Sequence, residues 1–120
     1  MKKLLLLASV TLLLSACATT APQESVLVYI NSGAIQCESA GKTGAETALL
    51  LSNENIAVTK TECGHLANVA MIAMCGGPAA NINVHQISSA DLAKAQLLGF
   101  ENVTTLKQEE HLGYDVSACK

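Results

Sequence analysis

Apolar and polar residues alternate or cluster along the chain in short blocks that predict four β-strands. Residues 26–30 (VLVYI) form a β-branched and aromatic run typical of a buried strand. Residues 56–61 (IAVTKT) and 82–87 (INVHQI) place apolar side chains at every second position, as half-buried strands do. A last short strand is predicted at 102–106 (NVTTL).

Two helices are predicted between these strands from their start signals. Thr43 and Glu46 stand in the N-cap and N3 relation of a capping box, and Ser88 and Asp91 repeat that relation before the second helix. Gly99 ends the second helix. The predicted inner face of the first helix consists of Ala45, Ala48, Leu49 and Ser52. The predicted inner face of the second consists of Leu92, Ala95 and Leu98.

The element order β-α-β-β-α-β predicts an α+β domain over residues 26–106. Segments 48–56 and 95–103 resemble each other at the same helix-to-strand junction, as two βαβ halves would. This order predicts a ferredoxin-like sandwich, a four-stranded antiparallel sheet with both helices on one face. The connection from 63 to 81 is longer than a hairpin needs, so an extra strand or helical turn is expected near 67–74.

The N-terminus, MKKLLLLASVTLLLSAC, has the arrangement of an export signal. Two lysines precede an apolar run that is too short to span a bilayer as a permanent helix, and small residues follow. Leu14, Ser15, Ala16 and Cys17 then resemble the lipobox of bacterial lipoproteins. The sequence therefore predicts an exported protein that is anchored to a membrane by lipid.

The lipobox resemblance implies a defined set of processing steps. Residues 1–16 would be removed, Cys17 would carry a diacylglycerol, and the new amino end would receive a further acyl chain such as palmitate. Several acyl chains anchor a protein stably. Ala18 is not the aspartate that retains such proteins in the inner membrane, so the outer membrane, with the chain facing the periplasm, is expected. Residues 17–25 would be the lipidated tether and 107–120 a polar tail.

The charge of the processed chain excludes several classes of ligand. Removal of Lys2 and Lys3 from the seven basic residues leaves five lysines against ten acids, a formal charge of −5, and the chain has no arginine. Nucleic-acid and phosphate sites are built from clustered basic groups, so no nucleic acid partner is expected. The three aromatic residues are too few for a sugar-stacking groove.

Four cysteines remain besides the lipidation site: Cys37, Cys63, Cys75 and Cys119. In an oxidising compartment this even set predicts two disulfides with three possible pairings. A Cys63–Cys75 bond with Cys37–Cys119 is favoured, and Cys37–Cys75 with Cys63–Cys119 is nearly as plausible. In the predicted topology the first three cysteines gather at one pole of the sheet.

A metal site at this cysteine pole is the alternative interpretation. Cys63, His65, Met71 and Cys75 offer sulfur and imidazole ligands that suit copper(I) or zinc. Against it, the chain lacks the paired C-x₂₋₄-C spacing of thiolate zinc sites, and methionine commonly fills cores. No metal or other cofactor is therefore the favoured expectation.

A second candidate surface lies on the sheet face that the helices leave uncovered. Tyr29, Thr59, Asn83 and His85 are expected to project from it. A solvated polar face is the simpler explanation, and a partner-binding face is the functional one.

The functional expectation is a non-enzymatic binding or structural module of the envelope. The chain has no G-x-S-x-G elbow and no C-x-x-C redox pair. Its layout resembles the SPOR domains that bind peptidoglycan glycan strands, but the segments at Asn31 and His85 lack their Gly-Ser/Pro-Phe motif, so no site residue is transferred. The expected partner is peptidoglycan or an envelope protein; the alternative function is copper or zinc binding.

Overall fold

The computed structural model describes residues 24–67 and 69–119. The predicted signal, the lipidation site Cys17 and most of the tether lie outside the described residues. The elements are β1 (Ser25–Asn31), α1 (Gly44–Ser52), β2 (Lys60–Leu66), β3 (Asn81–Ser88), α2 (Leu92–Leu97), β4 (Glu101–Asn102) and β5 (Tyr114–Ser117). Short 3₁₀ turns, Ser89–Asp91 and Val103–Leu106, precede α2 and follow β4.

The strands form one antiparallel sheet in the order β4-β1-β3-β2-β5. The α+β class, the antiparallel sheet and the two helices are confirmed. The expected count of four strands is corrected to five, because β5 pairs with β2 from inside the segment predicted to be a polar tail. Its residues Tyr114 and Val116 alternate with polar ones, a pattern too short to stand out in the sequence.

The predicted strands agree with the sheet in part. β1 and β3 match their predicted runs to within one residue. β2 begins at Lys60, four residues later than predicted. The last predicted strand shrinks to two residues, because the Asn102 side chain accepts hydrogen bonds from the Thr104 amide (3.0 Å) and hydroxyl (2.9 Å). Such local bonds compete with a strand ladder, and a 3₁₀ turn forms instead.

The first helix begins as predicted. The Thr43 amide donates to Glu46 Oε2 (2.7 Å), and the Glu46 amide donates to Thr43 Oγ1 (3.1 Å), which completes the capping box. The second start differs, since the Ser88 hydroxyl accepts from the Ala90 amide at 3.4 Å and begins a 3₁₀ turn. The α2 helix then begins at Leu92.

The inner face of α1 differs from the predicted one. Its buried residues are Gly44, Thr47 and Leu51, whereas Leu49 of the predicted face is 57% exposed. A buried threonine was not expected, and hydrogen bonds to neighbouring groups make its burial possible. In α2 the prediction is sound, because Ala95 is fully buried with partly buried leucines beside it.

Apolar side chains pack on both sides of the sheet. On the helix side, where α1 and α2 lie, the cluster consists of Val28, Leu51, Ile56, Ile87, Ala95 and Phe100. On the far side it consists of Ile82, Val84 and Tyr114, with Val103 and Leu106 packed against it. The face expected to be open is therefore partly covered by the 3₁₀ turn after β4, and the Tyr114 side chain of β5 packs on it.

The connection between β2 and β3 forms neither the strand nor the helical turn expected near 67–74, as far as the described residues 67 and 69–80 show. Gln36 holds it instead. The Gln36 amide group donates to the carbonyls of Ile72 (3.0 Å) and Pro78 (2.9 Å), and its Oε1 accepts from the Met74 amide (3.1 Å). Residues 69–74, here called the apolar loop, are exposed, and the Ile72 side chain is 79% exposed.

Candidate functional site

All four cysteines predicted to form disulfides do so. The bonds are Cys37–Cys75 and Cys63–Cys119, so the favoured pairing is wrong and the second pairing is the observed one. The fifth strand explains the difference. Cys63 of β2 lies opposite Ser117 of β5 in the strand register, which brings Cys119, two residues further along, to Cys63.

A groove of about 640 Å³ lies at this pole of the sheet, in the size range of small-ligand sites. Its walls are the segment between β1 and α1, the facing parts of β2 and β3, and the end of β5. Cys37 and Cys63 both line it. The expectation that the first three cysteines gather at one pole thus holds for two of them directly, and Cys75 follows through its bond to Cys37.

The groove differs in charge from the rest of this acidic chain. The described residues that line it include Lys42 and His65 and no aspartate or glutamate. Gly44, the first residue of α1, also lines it, and a helix N-terminus carries partial positive charge. The groove therefore favours uncharged or anionic ligands over cations. His65 itself is exposed, with its Nε2 atom 3.2 Å from Asn81 Nδ2.

Asn83 forms part of the inner wall of the groove and is 3% exposed. Its amide nitrogen donates to the carbonyls of Lys42 (3.0 Å) and Thr43 (3.2 Å), which fixes the orientation of the side chain. The Oδ1 atom consequently points to the sulfur of Cys63, 3.4 Å away. A disulfide sulfur carries no hydrogen, so this contact is not a hydrogen bond.

His85 is buried on the helix side. Its Nε2 atom lies 2.8 Å from Thr47 Oγ1, its Nδ1 atom 2.9 Å from Thr61 Oγ1, and its ring meets Phe100 edge-on at 6.0 Å between centroids. Removal from water disfavours the charged ring and lowers the pKa of His85 to about 4. His85 is therefore a neutral structural residue at physiological pH.

The four residues expected on one uncovered face do not share a face. Asn83 and His85 lie under α1 on the helix side, whereas Tyr29 packs on the far side beside Val84. Thr59 lies just before β2, exposed, with its hydroxyl donating to the Gln86 carbonyl at 3.3 Å. The strand alternation correctly separates the two sets of β3 side chains, but it cannot tell which set the helices cover, because both are largely buried.

The alternative metal set is not assembled. Cys63 and Cys75 belong to different disulfides, so neither offers a thiolate. Met71 lies in the exposed apolar loop rather than in a core. Within residues 24–67 and 69–119, no group of three or more histidine, cysteine, aspartate or glutamate side chains is arranged to hold a metal ion.

Two groups that organise this region escaped sequence analysis. Thr47 occupies the buried face of α1 one turn after the N-cap, outside the predicted inner face. Gln36 precedes Cys37 and holds the apolar loop through its side-chain amide. Neither position carries a local motif; each depends on a contact with a residue 36 or more positions away.

In the described part of the chain, no helix is long and apolar enough to cross a membrane. Comparisons with known proteins found no match of this chain to a family model, to a curated protein or to a solved structure.

Proposed function

We propose that this protein is a lipid-anchored, non-enzymatic binding module of the bacterial envelope, with its ligand site in the groove at the disulfide pole. The observation that supports this proposal is a lipobox-like motif, Leu14 to Cys17, after a segment patterned as an export signal, together with two disulfides in the domain that follows. Disulfides persist in oxidising compartments such as the periplasm, which is where the proposed signal sends the chain.

The proposed anchor is a diacylglycerol on Cys17 in the outer membrane, facing the periplasm. The tether of residues 17–25 spans at most about 30 Å when fully extended. It enters the domain at Ser25, whereas the groove lies at the opposite end of β1, where Asn31 pairs with Ile82. A chain held in this way presents the groove away from its own bilayer.

The proposed ligand is a peptide segment, from an envelope protein or from the peptide part of peptidoglycan. The described residues that line the groove include no aromatic side chain on which a sugar ring could stack. Lys42 and the N-terminus of α1 favour a carboxylate, such as the one that ends a peptide. A glycan strand is thus the less suitable part of peptidoglycan.

We also propose a ferredoxin-like arrangement for the first four strands. The antiparallel order β4-β1-β3-β2, with a helix after β1 and another after β3, supports it. In this view β5 is an addition on the edge of β2, and Ser117 and Ala118 at its end border the groove.

The anchor is tested by growing cells with an alkyne analogue of palmitate and measuring label on the protein. Label on the wild-type chain and none on Cys17→Ser is the expected result. Cys37→Ser is the matched control and should keep the label, because that cysteine lies in the folded domain. Label that persists on Cys17→Ser would rule out the proposed anchor.

The groove is tested with a photo-crosslinking amino acid placed at one of two exposed positions. Ser39 lies on the groove, and Ala90 lies just past the opposite end of β3. We expect an envelope adduct from position 39 that weakens in Lys42→Glu, and none from position 90. Equal adducts from both positions, or an adduct indifferent to Lys42→Glu, would place the ligand elsewhere.

A further inference from the structure

The two disulfides have different surroundings, and those of Cys63–Cys119 suit the reduced state. Asn83 Oδ1 is buried against the Cys63 sulfur, and no described group donates a hydrogen to it while Cys63 is oxidised. A buried acceptor without a donor is costly. A Cys63 thiol would carry the missing hydrogen at the same place, so reduction would satisfy Oδ1.

The N-terminus of α1 packs directly on the same bond. A β-carbon added at Gly44 would lie 3.2 Å from the Cys119 sulfur and 3.4 Å from the Cys63 sulfur. Glycine is what allows the helix end to approach both atoms this closely. The partial positive charge at a helix N-terminus stabilises a thiolate, and a more stable leaving thiolate speeds thiol exchange.

Access to the bond is uneven. Cys119 is exposed, whereas Cys63 is only partly exposed, so an external thiol reaches the Cys119 sulfur more readily. Both cysteines of the Cys37–Cys75 bond are exposed. Solvent access alone would therefore let an external thiol react faster with Cys37–Cys75, whereas the opening equilibrium of each bond depends on the groups around it.

We infer that Cys63–Cys119 is an exchangeable disulfide that a dithiol reductant can open, and that Cys37–Cys75 is a structural disulfide. A thiolate of the dithiol attacks the Cys119 sulfur; the bond to Cys63 breaks, and Cys63 leaves as a thiolate. In the mixed disulfide, one sulfur of the reductant is bonded to Cys119. The second thiolate of the reductant then attacks that reductant sulfur and releases Cys119 as a thiolate. The reductant becomes a disulfide, and its two electrons and two protons end on Cys63 and Cys119.

Opening this bond would act on the groove. The bond ties the end of β5 to β2 beside the groove wall. Once the bond is open, only the short ladder of four residue pairs with β2 would hold β5 in the sheet. The reduced Cys63 thiol donates to Asn83 Oδ1 and so retains the inner wall in place. The exchange site thus couples the redox state of the surroundings to the outer border of the groove.

The test uses the purified soluble Cys17→Ser protein equilibrated in glutathione redox buffers, with thiols alkylated and located by mass spectrometry. We expect Cys63–Cys119 to open at a less reducing ratio than Cys37–Cys75. In Asn83→Ala the equilibrium constant for opening Cys63–Cys119 should fall roughly tenfold, or about 30 mV, with Cys37–Cys75 unchanged. The matched control Asn81→Ala, two residues away on β3, should leave both unchanged.

Opening of Cys37–Cys75 first, or an unchanged Cys63–Cys119 equilibrium in Asn83→Ala, would overturn the inference. Because Asn83→Ala also removes two amide hydrogen bonds, a second measurement avoids it. Cys119→Ser leaves Cys63 as a free thiol, and its S–H stretching band in the Raman spectrum should lie below that of the exposed Cys37 thiol in Cys75→Ser. Equal band positions would show that Asn83 accepts no hydrogen bond from Cys63 and would reject the inference.

Discussion

The Nε2 atom of His85 on β3 lies 2.8 Å from the hydroxyl oxygen of Thr47 on α1, inside the core on the helix side. The Thr47 hydroxyl also lies 3.1 Å from the Gly44 carbonyl, which can only accept. The arrangement that satisfies both contacts has Thr47 donating to the carbonyl and accepting from Nε2–H. The Thr61 hydroxyl then donates to Nδ1, so a neutral imidazole fills all its hydrogen-bonding capacity.

Replacement of Thr47 by valine should lower the free energy of unfolding by about 1–3 kcal/mol, because it leaves the buried Nε2–H without an acceptor. The two side chains have nearly the same shape, so little packing is lost. Chemical denaturation of the two proteins measures the difference. The control Thr59→Val, at an exposed position, should change stability by less than about 0.5 kcal/mol. A loss of similar size in both variants would contradict a special role for the Thr47–His85 contact.

The buried ring also predicts how stability depends on pH. The pKa of His85 is about 4 when folded against 6.5 for the free side chain, so between these values the unfolded chain binds more protons. The contribution of His85 to the free energy of unfolding should be fully present above pH 6.5. Towards pH 4 the free energy of unfolding should fall by up to about 1.4 kcal/mol per pH unit, and by about 3 kcal/mol in total. Denaturation midpoints measured at pH 7.5, 6, 5 and about 4.5 test this slope.

Carboxylates titrate at the lower end of the same range, so the slope needs its own control. His85→Gln keeps a polar amide in the core and removes the titrating ring. The wild-type protein should lose stability relative to this variant as the pH falls below 6.5, while carboxylate effects cancel in the difference. Parallel curves for the two proteins would mean that His85 does not resist protonation in the fold.

Sequence patterns predicted the elements whose causes are local. The capping box of Thr43 and Glu46 is a contact across three residues, and it is present as expected. The run of β1 consists of β-branched, aliphatic and aromatic residues, and it forms a strand as predicted. The disulfide chemistry also followed from the even number of cysteines and the expected oxidising compartment, although its pairing did not.

Features that depend on distant partners were missed. The pairing of Cys63 with Cys119 requires β5, a strand of four residues that alternates too briefly to be recognised. The alternation of β3 predicts an open face for His85, but α1 covers it, and its ring nitrogens pair with the hydroxyls of Thr47 on α1 and Thr61 on β2. A polar side of a strand can thus lie in a core when hydrogen-bonding partners come with the covering helix.

The Gln36 side chain should determine the order of the apolar loop. Its three hydrogen bonds join it to Ile72, Met74 and Pro78, so Gln36→Ala should raise amide exchange at Met74 and lower global stability by about 1–2 kcal/mol. Hydrogen exchange read by NMR gives both quantities. Gln96→Ala, at an exposed position on α2, is the matched control and should leave the Met74 amide protected. Unchanged exchange at Met74 in Gln36→Ala would show that the loop is held by other contacts.

The disulfide pairing can be read from peptides. Cys63 and Cys75 share the tryptic peptide 61–94, so trypsin alone leaves every linked peptide in one product. Cyanogen bromide cleaves after Met71 and Met74 and separates the two cysteines. The combined digest of the unreduced protein should give one product that joins Cys63 to Cys119 and another that joins Cys37 to Cys75. A product that joins Cys37 to Cys119 would favour the other pairing.

The attachment of β5 depends on the absence of a side chain at Gly64. Gly64 pairs with Val116, and a β-carbon there would lie 2.6 Å from the Asp115 carbonyl oxygen, a contact that real side chains do not make. Gly64→Ala should therefore push β5 outward and cost about 1–3 kcal/mol of stability, with faster amide exchange confined to β5. Ala67→Ser, just past the end of β2, is the control, because it alters a half-buried side chain without entering the ladder.

The Cys63–Cys119 bond decides how far that displacement can go. With the bond closed, Gly64→Ala should loosen β5 without releasing it. With the bond removed by Cys63→Ala and Cys119→Ala, the same change should leave the Asp115 amide, which faces β2, as exchangeable as an unfolded amide. The combined loss of stability should exceed the sum of the separate losses, since the bond and the ladder hold the same strand. Simple additivity would mean that β5 stays in the sheet without either support.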